Sequence, residues 1–305
     1  MICLTASAIT NSCFAAGEEK LKGKLVYYAS GKMESMVMDM ATGQAKGLGF
    51  RASHPALSPD CRTIAYIDDR ERLHVYRLDS GTDQIFAAEK VSYSSPTFVS
   101  GDLLAFLRED RSGKQIYTSP VSRFEEKPWL GKTVEMGASP TITGIPGCGG
   151  QVPCLLLVSS KRNSSGLYLL SADQPRCLLP LKEEGGDNYR YPSVSPDGKT
   201  IAFVRDIPEG IWLMNIDGSG LHQIQKGGSW PAWSPDGKYI AYLGTVAASR
   251  GLKVVDSRTG NEVGRTAGAF LQGVGLMRPD GTELGPVVDA EGKSINTRGD
   301  NVAWQ

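Results

Sequence analysis

Apolar and polar side chains alternate along this chain in short stretches, and each stretch ends at a turn. Val194 and Trp233 precede two such breaks, while Ile201 with Phe203, and Ile240 with Tyr242, follow them. A spacing of two is the period of a half-buried strand, not the 3.6 of a helix. The breaks share one phrase. It reads Tyr191-Pro-Ser-Val-Ser-Pro-Asp-Gly-Lys-Thr-Ile-Ala-Phe203 and, again, Trp230-Pro-Ala-Trp-Ser-Pro-Asp-Gly-Lys-Tyr-Ile-Ala-Tyr242. A third copy runs from His54 to Tyr66, with Cys61 in place of the glycine. Proline presets φ and glycine accepts a positive φ, so Ser-Pro-Asp-Gly closes a tight hairpin.

A third strand is predicted after each hairpin, at Met36–Met38, Leu73–Tyr76, Ile116–Tyr117, Leu167–Leu170, Ile211–Met214 and Leu252–Val255. Turns such as Thr42-Gly43, Asp217-Gly218 and Thr259-Gly260 then lead into a weaker fourth strand. The prolines that open the first strands are Pro55, Pro96, Pro140, Pro192 and Pro231, at a mean spacing of 44 residues. Four antiparallel strands per unit of this length make the blade of a β-propeller. The expected fold is all-β, a six-bladed propeller of four-stranded antiparallel blades. The blade holding Met36 lacks its own first strand. Asn301-Val-Ala-Trp-Gln305 matches Trp230-Pro-Ala-Trp-Ser234 and is expected to supply it, closing the ring and removing two sheet edges. One stretch fits less well, because Pro231 to Val302 spans 71 residues. Leu276-Met-Arg-Pro-Asp-Gly-Thr-Glu-Leu284 echoes Leu213 to Leu221, so 268–300 is either a degenerate seventh blade or a long insertion in the sixth. Seven blades is the alternative to six.

These phrases resemble the repeats of the TolB-like propellers, a WD40-related family typified by Ser-Pro-Asp-Gly-Lys and Ile-Ala-Phe. The resemblance covers roughly residues 25–267. It implies a propeller but leaves the activity open, since the family includes periplasmic adaptors, propeller domains of peptidases and sugar-degrading enzymes.

The chain has 305 residues, with 33 basic against 33 acidic side chains. Continuous repeats argue for a single propeller domain over 25–305, preceded by a leader over 1–24. Balanced charge argues against a nucleic-acid partner, which needs a clustered basic excess. No apolar run approaches the roughly 18–20 residues of a spanning helix. Met1–Ala16 is apolar and small like a signal peptide, although a basic start is missing. Together with the family resemblance it gives an expectation of a periplasmic or secreted monomer. In an oxidising compartment Cys148 and Cys154 are expected to close a small loop as a disulfide, and Cys-x5-Cys without histidine is a poor zinc pattern.

Catalytic motifs are scarce. Gly-x-Ser-x-Gly is absent, only His54, His74 and His222 are present, and neither glycine-rich phosphate loops nor metal-ligand clusters occur. No cofactor is expected. Asp60, Asp197 and Asp236 of the repeated phrase are expected to bond to their own turns.

Two residue sets point to binding. The first precedes each opening proline and would ring the mouth of the central channel: His54, Ser95, Ser139, Tyr191, Trp230 and, at the matching position, Asn301. Tyr and Trp join apolar area to a polar handle, as binding surfaces do. The second is one basic residue in each loop between second and third strands: Lys32, Arg70, Arg111, Arg162, Arg205 and Arg250. The expectation is a non-catalytic module that binds a protein or peptide segment, or an anionic glycan, at this upper face. The rival is an enzyme acting on an envelope sugar or peptide within the channel, which would need carboxylates or histidines converging on the axis.

Overall fold

The computed structural model describes residues 20–305, apart from 87–89, 132–135, 137–139, 148–152, 160–165, 172–173, 181–188, 248–252, 256–261, 266–269 and 298–301. The described chain folds into six four-stranded antiparallel sheets, with no α-helix among the described residues. Counting from the channel outward, blade 1 is Val302–Trp304, Lys24–Ala29, Glu34–Asp39 and Ala45–Gly47. Blades 2 to 5 each use four consecutive strands, beginning at Ser53–Leu57, Ser92–Phe98, Thr141–Gly144 and Tyr189–Val194. Blade 6 is Ser229–Trp233, Ile240–Ala247, Phe270–Met277 and Glu283–Pro286. This is the expected six-bladed propeller.

The last strand closes the ring. Leu25 pairs with Trp304, Val26 with Ala303 and Tyr27 with Val302. The seam is tied at its lower end, where the Lys24 N–H donates to the Gln305 carbonyl (2.5 Å) and the Gln305 N–H to the Lys24 carbonyl (3.1 Å). The Trp304 indole N–H reaches the Lys22 carbonyl at 2.8 Å.

Apolar residues on both faces of the second and third strands fill the spaces between blades. Phe106, between blades 2 and 3, and Phe203, between blades 4 and 5, are fully buried. Each such side chain contributes about 1.5–3 kcal/mol through the area it removes from water. Two glycines let blades approach at the channel wall and the lower face. A Cβ on Gly144 would stand 2.5 Å from the Phe98 carbonyl oxygen, and one on Gly198 would stand 2.7 Å from that of Pro146.

Blade 6 corrects the sequence reading. Lys253–Val255 is not its third strand; it pairs with Glu262–Arg265 as a separate two-stranded ribbon. The third strand is Phe270–Met277, bonded along its whole length to Ile240–Ala247. The Asp280-Gly281 turn then leads to the fourth strand. The Leu276–Leu284 echo is thus the outer half of blade 6, and the extra length is an insertion between its second and third strands. Glycines at 273 and 275 hide this strand, since glycine weakens strands in general. Here Tyr242 lies over Gly275, where a Cβ would stand 2.4 Å from a ring carbon.

Candidate functional site

The repeated turns are tied by their own side chains. In blade 5 the Ser195 hydroxyl donates to Asp197 (2.6 Å) and accepts from the Thr200 N–H (2.9 Å), while Asp197 also accepts from the Lys199 N–H (3.1 Å). The same three bonds recur around Ser58 with Asp60 and Ser234 with Asp236. The serine hydroxyls hold the Asp60 and Asp197 carboxyls below the ordinary carboxylate range. As expected, these aspartates serve their turns on the lower face.

At the opposite end the first strands begin, and there the backbone departs from expectation. His54, Ser95, Tyr191 and Trp230 have φ of 49, 51, 54 and 52°. The left-handed region is uncommon for residues with a Cβ and costs about 1–3 kcal/mol each. Each also lies in a register shift between first and second strands: Ser53/Ala56, Ser94/Thr97, Arg190/Ser193 and Ser229/Ala232. These are β-bulges, which bend a strand and redirect the side chain. Sequence reasoning missed them, because the residue before a proline is normally extended.

Three redirected side chains from three blades converge. The rings of Tyr191 and Trp230 stack at 3.6 Å between centroids, and His54 meets Trp230 edge-on at 5.7 Å. All three are half-buried and line a channel of about 440 Å³ whose wall is formed by the six innermost strands. Ser95 is different. It is 7 % exposed, and its hydroxyl joins blade 3 to blade 4 by accepting from the Ile142 N–H at 2.9 Å. Ser139 and Asn301 lie outside the described residues. The described channel lining contains one histidine, His54, and no carboxylate, lysine or arginine. Two polar atoms on lining residues, Trp233 Nε1 and Thr141 Oγ1, are buried without a hydrogen-bond partner among the described residues.

The surrounding rim is mixed in charge. Lys32, Arg70 and Arg111 are exposed in the loops between second and third strands. Arg205 lies over the Trp212 ring at 5.0 Å, and Arg162 and Arg250 fall outside the described residues. Rim cations that sequence reasoning passed over are ion-paired. Arg72 binds Asp68 at 2.5 Å, and Arg108 pairs with Asp110 and Glu126. Arg190 pairs with Asp206 and lies 5.7 Å from the Tyr191 ring centroid. Its position next to Tyr191 was the available signal. The Ser112 hydroxyl and amide, with Arg108, hold the Asp110 carboxyl down at about 2.

The remaining histidines are not at the mouth. His74 is buried in blade 2, with Nδ1 2.8 Å from Asp83 and its ring stacked on Tyr66. His222 is exposed. No group of three His, Cys, Asp or Glu side chains able to hold a metal ion occurs among the described residues. Cys154 is disulfide-bonded, Cys148 lies outside the described residues, and Cys61 and Cys177 are free.

TolB from Acinetobacter baumannii superposes with a TM-score of 0.66, covering 94 % of this chain and 67 % of that one at 18 % identity. The fold is that of a TolB-like propeller. A chain of the nidogen/laminin complex is also similar (TM-score 0.61, 11 % identity, covering 92 % of this chain and 97 % of that one). So is oligogalacturonate lyase in complex with manganese (TM-score 0.52, 13 % identity, 82 % and 69 %). At these identities the likeness is one of architecture, and propellers of this shape occur both in a protein–protein complex and in an enzyme. No protein-family model and no curated protein sequence matches the chain. No helix among the described residues is long and apolar enough to cross a membrane.

Proposed function

We propose that the protein is an exported, non-catalytic binding module that captures a polypeptide segment at the upper mouth of its channel. The observation that carries this reading is the convergence of His54, Tyr191 and Trp230, held there by strained bulges on three separate blades. Bulges re-aim side chains where a site needs them, and rigid aromatic rings are frequent anchors of protein interfaces. The shared architecture with TolB is compatible with a periplasmic propeller of this kind. Among the described residues the channel lining offers His54 as its one titratable side chain besides Tyr191, with no carboxylate, lysine or arginine, which favours docking over paired acid–base chemistry. Lys32, Arg70 and Arg111 would steer an acidic segment or an anionic glycan toward the mouth.

The test compares wild type with the Tyr191→Ala/Trp230→Ala variant in capture from an envelope extract, at low and high salt. Loss of the captured polypeptide with little change in melting temperature is the expected result. High salt should weaken capture if the rim steers it. A variant that unfolds would make the aromatic group structural. Turnover of an oligosaccharide or peptide by wild type, abolished in the variant, would favour the enzyme reading.

A further inference from the structure

A second cavity, of about 410 Å³, lies on the far side of blade 1 from the blade 2 seam and away from the channel mouth. It exists because the chain between the fourth strand of blade 6 and the closing strand does not run straight inward. Val288 pairs with Ser294, the Asp289 N–H donates to the Lys293 carbonyl (2.9 Å), and the Ala290 N–H reaches the Gly43 carbonyl of blade 1 (3.0 Å). This small hairpin docks on blade 1 by its tip and leaves a slot beside it. The slot's apolar floor includes Ala29, Met36, Ala45 and Ile295.

Three features suit a ligand. Tyr27 lines the slot at 5 % exposure, yet its hydroxyl has no hydrogen bond among the described residues. Burial, and then the negative charge of Asp289, push its pKa up to about 12, so it remains a neutral donor. Second, charges of both signs sit on separate parts of the rim. Lys32 is in the upper turn of blade 1, whereas Asp289 and Glu291, with one cation, Lys293, are on the hairpin whose tip meets Gly43 at the lower turn, so that end is net negative. Third, neither Lys32 nor Lys293 has an ion pair among the described residues. Asp289 uses one oxygen to accept from the Glu291 and Lys293 N–H groups, at 3.2 and 2.8 Å.

We infer that this slot binds a small apolar zwitterion of the amino-acid or dipeptide class. Its carboxylate would face Lys32, its ammonium group Asp289, and its apolar body the floor beneath the Tyr27 hydroxyl. Opposite charges at two ends of an apolar trough select a dipolar ligand over a simple anion or cation.

The probes are the dipeptide Leu-Leu, its N-acetylated form, its C-terminal amide, and free leucine, titrated into the full chain by calorimetry. Leu-Leu or leucine should bind saturably, and the better of the two fixes the source. Blocking either charge should weaken binding about tenfold, the worth of one charge-assisted contact. Tyr27→Phe, which keeps the ring, and Lys32→Ala, on an exposed turn, should each weaken it, and Tyr27→Phe should do so with capture at the channel mouth unchanged. Absence of saturable binding, equal affinity of the blocked and unblocked dipeptides, or indifference to both substitutions would overturn the assignment.

Discussion

Ser195 shows how a single hydroxyl specifies a blade. It is 4 % exposed and links both sides of its turn, donating to Asp197 and accepting from the Thr200 N–H. Ser195→Ala should leave the Thr200 N–H unsatisfied and cost about 1–2 kcal/mol, read as a lower urea midpoint at unchanged slope. Part of this cost depends on pH. The Asp197 carboxyl is depressed below its unfolded value, chiefly by the Ser195 hydroxyl. Its contribution is therefore complete above the unfolded pKa of about 3.9 and is lost as pH falls through the folded value. The gap between wild type and variant should narrow below pH 4 without vanishing, because the Thr200 N–H stays unpaired at every pH. A gap independent of pH would assign the whole effect to the amide. The role of these serines and aspartates was legible from the repeated phrase. The left-handed conformation of His54, Tyr191 and Trp230 was not: proline marked the place, but the bulge depends on pairing with a second strand, which local sequence does not encode.

Strand identity was legible wherever alternation was strong and failed where packing outweighed propensity. Lys253-Val-Val255 has the residues of a strand and forms one, yet it lies outside the blade. Phe270–Met277, interrupted by Gly273 and Gly275, is the blade strand because the Tyr242 ring needs the space over Gly275. The ribbon is then an accessory to blade 6. Ala247 and Phe270 already face each other as the last pair of the blade, so a two-residue turn can join them. Replacing residues 248–269 by Asn-Gly should leave a cooperative unfolding transition within a few degrees of wild type, since the ribbon pairs with no strand of the blade and a shorter connection lowers the closure entropy. A fall of more than about 10 °C, roughly the effect of several kcal/mol in a chain of this size, would show that the ribbon supports the ring. The same variant separates ribbon from mouth in function, because Trp230 stands at the other end of blade 6 from the deletion only in sequence; both emerge on the upper face. Retained capture would confine binding to the aromatic group.

At the scale of the whole molecule, the closing strand makes six similar blades one cooperative unit. An open row of repeats is stabilised by nearest-neighbour contacts and can fray from either end, whereas a closed ring has no terminal blade. Here closure rests on three residues, Val302–Trp304, and on Trp304 above all. Its side chain is 3 % exposed, belongs to the apolar cluster between blades 1 and 6, and bonds to the Lys22 carbonyl. Trp304→Ala should cost about 3–5 kcal/mol. Gly23→Val should act at the same place by a different cause. Gly23 has φ of 82°, and a Cβ there would stand 2.0 Å from the Gln305 carbonyl oxygen. Either change attacks the seam without touching the channel mouth, although a side chain at position 23 would also press on Pro235 of the blade 6 turn, 2.8 Å from its Cβ. If closure is what couples the blades, both variants should broaden unfolding and let hydrogen exchange in blade 1 run ahead of exchange in blade 4. If both instead lower stability while exchange remains uniform around the ring, blade-to-blade packing alone provides the cooperativity and the closing strand is one interface among six.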